Sequence, residues 1–541
     1  MATSVVSVLP RSTIFETSSE AHGKSHLLSA CLIAILALIA VAIEGYHPYA
    51  EDGGLYAAGI QRLLDPALFP HWSAFVLAPM RISTFAPALA WLVRLTHLSL
   101  PVVLLLVQIF TVFATLLTAY CIAAECWQSR RARMGAVVVL ACWLGLPVAG
   151  TSLQIIDPYV TARSFSTPCA LLGLLAMLRL TADEPRRSRS LWLVLCAASL
   201  AFGSAMHPLM AGYGVAAACI LACLRSRNRI VQSAGTMSCS VAAFLVAPAL
   251  QHLAPPESRA YLAAALTRTY WFPREWSWYE LAGLAAPLVL LALYTSLRSS
   301  SPLHAYEGRS PTPSAAKALA AMAVVLGGTA ILVAALYARP DAPTHLVARL
   351  QPLRVFQIVY MVMLLILGAL LGEHVLGRGV VRWIAAVLLL GGPVFLAERM
   401  AFPSSDHVEI FDLSEANLWV QSFDWVRSHT PKDALFALEP DYIHAPGEDG
   451  QCFRAIAQRS VLPDYSKDGG EASISPQLAD LWQAGLRAQQ GLSPHIHLDK
   501  TSQNTSGLRA LGVSWVILRA SASTNFPCPY SNHAAKVCRI S

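Results

Sequence analysis

Apolar runs without a single charged side chain recur along this 541-residue chain, and nothing else in it restricts the fold so tightly. They cover Leu27–Ile43, Leu100–Ala124, Met134–Ile156, Ser164–Leu178, Ser190–Leu224, Ile230–Leu250, Leu281–Leu297, Ala318–Ala338, Val355–Gly372 and Trp383–Ala397. A helix needs roughly 20 apolar residues to span a bilayer, so most runs hold one span and Ser190–Leu224 is long enough for a tight helical hairpin. The chain is expected to cross about eleven times. Composition agrees, with 55% hydrophobic residues and only 13% charged, against about 25% charged in a soluble domain.

Arginine and lysine set the expected orientation. Arg130, Arg131 and Arg133, then Arg179, Arg186, Arg187 and Arg189, then Arg225, Arg227 and Arg229, then Arg298, Arg309 and Lys317, then Arg378 and Arg382 fall in alternate loops. These are the cytoplasmic loops if the amino terminus is inside. The net charge of +7 is therefore mostly topology, with no basic face for nucleic acid. The expected layout is a cytoplasmic tail over 1–25, a transmembrane region over 26–397 with a long first external loop at 44–99, and an extracytoplasmic α/β domain over 398–541. The apolar run after the tail lacks a cleavage pattern and reads as a retained span. In the last region Trp419–His429 has helical spacing, and Ala434–Leu438, Leu511–Leu518 and Lys536–Ile540 read as strands. Cys528 and Cys538 close a short loop suited to a disulfide, leaving Cys452 unpaired. No cysteine or histidine array has metal-ligand spacing.

The long first loop opens with "GYHPYAEDGGLYAAG", where Glu51 and Asp52 stand beside His47, Tyr46 and Tyr49. Carboxylates at a membrane boundary are costly unless solvated or used. Asp52 also suits a helix amino-terminal cap, although a cap needs one carboxylate and two are present. Such a carboxylate can take a proton from an acceptor hydroxyl while its neighbour tunes it. Gly54–Leu64 and Phe85–Leu98 read as helices lying in the interface. Arg163 in "TARSFSTP" and Arg354 in "QPLRVFQ" mark the ends of spans, either as snorkelling anchors or as forks for phosphate. His207 sits at the hairpin apex, as a turn residue or a ligand contact. Trp271, Trp276 and Trp278 suit an aromatic belt. Asp449, Arg454, Arg459, Asp464, Lys467 and Asp468 read as solvated charge, with Arg454 or Arg459 as alternative acceptor contacts.

With a first span, an acidic motif opening a long external loop, many further spans and a carboxy-terminal α/β domain, the chain resembles the GT-C superfamily of polytopic membrane glycosyltransferases, which take sugars from polyprenyl-phosphate donors. The motif match falls on Glu51 and Asp52 in "HPYAEDGG". The resemblance implies an enzyme of a bacterial inner membrane with a lipid-linked sugar donor and an unnamed protein or glycan acceptor. Asp52 and Glu51 would be catalytic, and His47, Tyr56, Asp157, Arg163, His207 and Arg354 would bind substrate. Protein O-mannosyltransferases of this superfamily carry Asp-Glu, whereas this chain has Glu-Asp. The Trp-Trp-Asp-Tyr-Gly motif and the second-loop acidic triplet of oligosaccharyltransferases are absent, with only Asp157 in "IIDPYVTAR". A reaction without metal or cofactor on a monosaccharide carrier is the expectation. The alternatives are a transporter or binding protein for a lipid-linked or anionic solute, and an inactive scaffold of the same fold.

Overall fold

The computed structural model describes residues 12–182, 186–297, 314–410, 416–492, 498 and 503–540. Residues 1–11 of the amino-terminal tail and most of the 298–317 link lie outside these. Helix α1 (Ser12–Glu44) carries the first apolar run and stops where Gly45 turns the chain at φ 79°. Only glycine fits there, since a Cβ would stand 2.6 Å from the His407 carbonyl oxygen. The segment after it forms α2 (Glu51–Leu64), α3 (Ser73–Leu77) and α4 (Phe85–Thr96). Helix α3 with its following turn meets α4 at 96°. One face of α4 buries Phe85, Ala86, Leu89 and Ala90, while Trp91 and Leu95 stay exposed, as an interfacial helix requires. Helix α2 differs from expectation: it is buried along most of its length against α4 and the carboxy-terminal region rather than lying in the interface.

The bundle continues with α5 (Leu100–Cys126), α6 (Arg130–Cys142), α7 (Ala162–Leu180), α8 (Arg186–Met206), α9 (Pro208–Leu224), α10 (Thr236–Leu253), α11 (Arg259–Leu266), α12 (Trp278–Ser296), α13 (Ala315–Tyr337), α14 (Leu346–Arg349), α15 (Phe356–Leu371) and α16 (Val380–Ala401). Among the described residues eight helices are long and apolar enough to cross a membrane, or nine if the bent α3–α4 pair is one span. The remaining apolar runs pack in the same bundle, in the shorter helices α6 and α9 and in the 19-residue α7. Helix α6 has 13 residues because its run leaves the helix near Trp143, and α9 has 17. The hairpin in 190–224 is present: α8 and α9 fold back at His207, with a Cβ on Gly203 reaching within 3.7 Å of Ala211. Helix α15 is the buried centre, and it lies so close to α6 that a Cβ on Gly368 would stand 2.4 Å from the Gly135 carbonyl oxygen.

Beyond α16 the chain forms α17 (Leu418–His429), α18 (Phe453–Ala457), α19 (Lys467–Ile474), α20 (Ala479–Gln489) and α21 (Gln503–Ala510) around a five-stranded sheet. Strands β1 (Leu435–Ala437), β2 (Ser460–Val461), β3 (Trp515–Arg519), β4 (Tyr530–Ser531) and β5 (Ala535–Arg539) take the order β2-β1-β3-β5-β4. Strand β1 is parallel to β2 and β3, whereas β5 is antiparallel to β3 and β4. Trp515 stands opposite both Phe436 and Arg539, which fixes the register. Cys528 and Cys538 form a disulfide.

Candidate functional site

Short backbone bridges tie the chain between α1 and α2 to the carboxy-terminal region. The Tyr46 amide donates to the His407 carbonyl at 2.9 Å, the Glu409 amide to that of Tyr46 at 2.9 Å, and the Cys452 amide to that of Tyr49 at 2.9 Å. The Glu51 amide donates to the Gly450 carbonyl at 2.7 Å, which holds Glu51 at φ 51°, a left-handed value strained for a side chain of its size. The two glycines after the carboxylates serve close approach rather than a turn. A Cβ on Gly53 would lie 2.8 Å from Tyr159 Cβ, and one on Gly54 would lie 2.2 Å from Cys452 Cβ. Their absence lets the first turn of α2 press between the 157–160 loop and the start of α18.

That turn faces a cavity of about 1170 Å³ at the end of the bundle covered by the carboxy-terminal region. Glu51, Asp52, Tyr56, Arg163, His207 and Arg354 line it, joined by Arg268, Tyr270, Arg349, Lys467 and Glu471. Asp52 does not cap α2: the cap position is Ala50, and no side chain caps the helix. Instead Asp52 Oδ2 accepts from Arg163 Nη1 and Nη2, both at 3.1 Å, and Oδ1 accepts from Lys467 Nζ at 3.3 Å. Lys467 also pairs with Glu51. Burial acts to raise the Asp52 carboxyl, but Lys467 and Arg163 outweigh it and hold it well below the usual carboxylate range. The Asp52 side chain is 34% exposed, so this anion remains reachable from the cavity. Lys467 is kept protonated by the same pairing, because Glu51 and Asp52 overcome the cost of its burial.

Asp157 is not a lining residue. It is buried behind Arg163, accepting from Nε at 3.2 Å and from Nη2 at 2.8 Å, so the guanidinium lies between two carboxyls. Burial pushes Asp157 up, against the pull of Arg163. Arg163 follows Thr161, whose capping box with Ser164 starts α7 and fixes the guanidinium at that helix start. His47 stands away from the cavity as well. It is fully buried, its Nδ1 lies 3.0 Å from Glu409 Oε1, and its ring stacks on Phe402 at 3.9 Å. It binds α1's exit to the carboxy-terminal region.

His207 has two roles at once. Its Nδ1 accepts from the Met210 amide at 3.3 Å and caps α9, which places the proton on the other ring nitrogen. Burial, with Arg163 and Arg354 nearby, pushes its pKa down to about 3, so the ring is neutral. Arg354 is the cavity guanidinium that donates to no carboxylate and no carbonyl among the described residues: it lies 5.8 Å over the Tyr270 ring, and its Nε is buried and unpartnered. Arg268, by contrast, donates to the carbonyls of Ser466 at 2.8 Å and Tyr465 at 3.2 Å.

Of the charges expected to be solvated, Arg454, Arg459, Asp464 and Asp468 are buried and Asp449 and Lys467 half-buried. Arg454 is 5% exposed and grips Asp468 through two bonds at 2.7 and 2.8 Å, while Asp464 accepts from the Lys467 amide at 2.5 Å. This pair anchors the start of α19 and aims Lys467 at α2. Arg459 is buried too, donating to the Thr430 and Arg427 carbonyls that end α17. Neither arginine lines the cavity. Trp271 and Trp276 are also buried, leaving Trp278 exposed as belt expectation requires. Lys467 and Glu471 are the site residues that sequence reasoning missed; the available signal was the Asp-Gly-Gly that each helix start shares, "EDGG" in α2 and "KDGGE" in α19. Among the described residues no group of three or more His, Cys, Asp or Glu converges as metal ligands.

No family model matches the chain, and no curated protein does. Among solved structures it is similar to a variant of the arabinofuranosyltransferase AftD from Mycobacteria, at 14% identity and TM-score 0.47, covering 94% of this chain and 41% of that one. It is also similar to the oligosaccharyltransferase of Archaeoglobus fulgidus, at 11% identity and TM-score 0.41, covering 91% of this chain and 69% of the other. Both are polytopic membrane glycosyltransferases of the GT-C fold.

Proposed function

We propose that the chain is a membrane glycosyltransferase that moves a sugar from a polyprenyl-phosphate donor to an acceptor hydroxyl. One observation carries the reading: a single cavity at the bundle's end holds an accessible carboxylate, Asp52, and a guanidinium that donates to no protein acceptor among the described residues, Arg354. Arg163 is engaged by Asp52 and Asp157, and Arg268 and Arg349 by backbone carbonyls, which leaves Arg354 as the fork for the donor phosphate. The neutral His207 adds a donor from the α8–α9 apex.

In the proposed step the acceptor oxygen bonds to the anomeric carbon, and its proton passes to Asp52. The bond from that carbon to the phosphate oxygen breaks, the electron pair leaves with the polyprenyl phosphate, and configuration inverts. Lys467 occupies the Oδ1 side of Asp52. An acceptor hydroxyl that takes this side also relieves the cation holding the carboxyl low, which restores its basicity where it is needed.

Asp52→Asn keeps the shape and removes the proton acceptor. In vesicles supplied with radiolabelled polyprenyl-phosphate sugars, turnover is expected to fall about 100-fold or more. Unchanged release of polyprenyl phosphate by Asp52→Asn, with Glu51→Gln equally silent, would remove the proposed base.

A further inference from the structure

Glu471 is a third carboxyl in the cavity, beside Glu51 and Asp52, and the transfer step above does not use it. It stands on α19 one turn beyond Lys467, is 9% exposed and lines the cavity. Among the described residues its side chain has no hydrogen-bond partner and no ion pair. With its body buried and its oxygens open to the cavity rather than to a protein partner, this carboxyl is available to a ligand's polar group.

The surrounding charges are spoken for. Lys467 on the same helix is tied to Glu51 and Asp52, and Asp468 to Arg454. Arg268 is held by the Tyr465 and Ser466 carbonyls, and Arg349 donates to the Ile474 carbonyl. Tyr56 is close enough to feel the Glu471 charge, and His207 and Arg354 line the same cavity. Burial, and then the Asp52 and Asp468 charges, push the Glu471 carboxyl up to about 8. One cavity thus presents an anion at Asp52 that only accepts hydrogen bonds and a neutral carboxyl at Glu471 that both donates and accepts.

We propose that Glu471 is a specificity-determining residue that binds a second hydroxyl of a polyhydroxylated acceptor, so that the acceptor is a sugar rather than a serine or threonine side chain. Asp52 addresses the reacting hydroxyl from α2, and Glu471 addresses another on the same molecule from α19. A side chain with one hydroxyl satisfies only the first. The inference rests on the sugar-transfer reading for its ligand class and is measured without turnover.

The experiment uses full-length protein in detergent, with methyl pyranosides, methyl furanosides and N-acetylserinamide as probes, and reads binding by saturation-transfer NMR across pH. Wild type is expected to bind a methyl glycoside and not N-acetylserinamide, with the signal falling about fivefold between pH 8 and pH 9 as the carboxyl ionises. Glu471→Gln, whose amide also donates and accepts, keeps the binding and loses this alkaline fall; Glu471→Ala binds weakly throughout. Absence of glycoside binding in wild type, equal binding of N-acetylserinamide, or an unchanged alkaline fall in Glu471→Gln overturns the proposal. Lack of sugar transfer from any donor would sink the enzymatic reading while leaving these binding results to stand.

Discussion

Two of the three carboxyls that line the cavity behave oppositely because of their partners. Asp52 has Arg163 and Lys467 and stays ionised, whereas Glu471 has none among the described residues and holds its proton. This difference predicts a stability signature. The folded protein binds the Glu471 proton up to about 8, against an ordinary value of 4.5, so between those values it binds more protons than the unfolded chain. Stability from this group is therefore full at the acid end of the window and is lost as pH rises through the folded value. Glu471→Gln removes the slope: its melting temperature should match wild type near pH 4.5 and exceed it near pH 8. Equal melting temperatures at both ends of that window would show that the carboxyl is solvated. Asp52 is the reverse, contributing above 3.8 and losing its contribution as pH falls below. The cluster at Glu51 and Asp52 was legible because adjacent acids at the end of an apolar run have a recognisable cost. Lys467 and Glu471 were not, because "SKDGGE" has the composition of a solvated surface, and only the Arg454–Asp468 pair, made across the fold, turns it inward.

At the scale of elements, glycine decides how closely helices meet. Where α2 crosses the start of α18, Gly54→Ala puts a methyl group 2.2 Å from Cys452 Cβ and 2.3 Å from the Tyr49 carbonyl oxygen, and both are fixed by backbone bonds. Overpacking of this kind costs about 1–3 kcal/mol, and thermal unfolding followed by tryptophan fluorescence should show it. Gly59→Ala in the same helix meets nothing closer than 3.5 Å and should be neutral or stabilising, since alanine favours helix. A second junction joins α1 and α16, where Glu44 and Glu398 both close on Gly145: a Cβ there would lie 3.3 Å from Glu44 Cγ and 3.2 Å from Glu398 Oε1. Glu398 accepts from Gln154 at 2.7 Å, while both oxygens of Glu44 are buried outside hydrogen-bonding geometry. Replacing an uncompensated buried carboxyl with an amide of the same shape is expected to stabilise by about 1 kcal/mol, so Glu44→Gln should melt higher than wild type. Helices and the longer strands were legible because their periodicity persists; β1 falls within its predicted strand, and β3 and β5 each overrun theirs by one residue. Strands β2 and β4, with two residues each, carry no period to read.

Across the whole molecule, charge is divided between the two ends of the bundle. The cavity lies at the start of α15, beside Arg354, and α15 carries the chain about 24 Å away from it to the turn holding Arg378. That far end also holds the Arg131–Glu373 and Arg179–Glu125 pairs, from loops that the distribution of basic residues assigns to the cytoplasm. With that orientation the cavity is expected to open on the opposite side of the membrane. Two variants, each with one introduced cysteine, separate the alternatives: His444→Cys, at an exposed residue on the cavity wall, and Arg378→Cys, at an exposed residue of the far turn. Cys31 and Cys219, the exposed native thiols, are first replaced by serine in both. In intact cells an impermeant maleimide should label His444→Cys at once and Arg378→Cys only after the membrane is permeabilised. The reverse pattern would turn the cavity toward the cytosol. It would then remove the basis for a donor whose phosphate meets Arg354 from the non-cytoplasmic leaflet, whatever the geometry around Asp52.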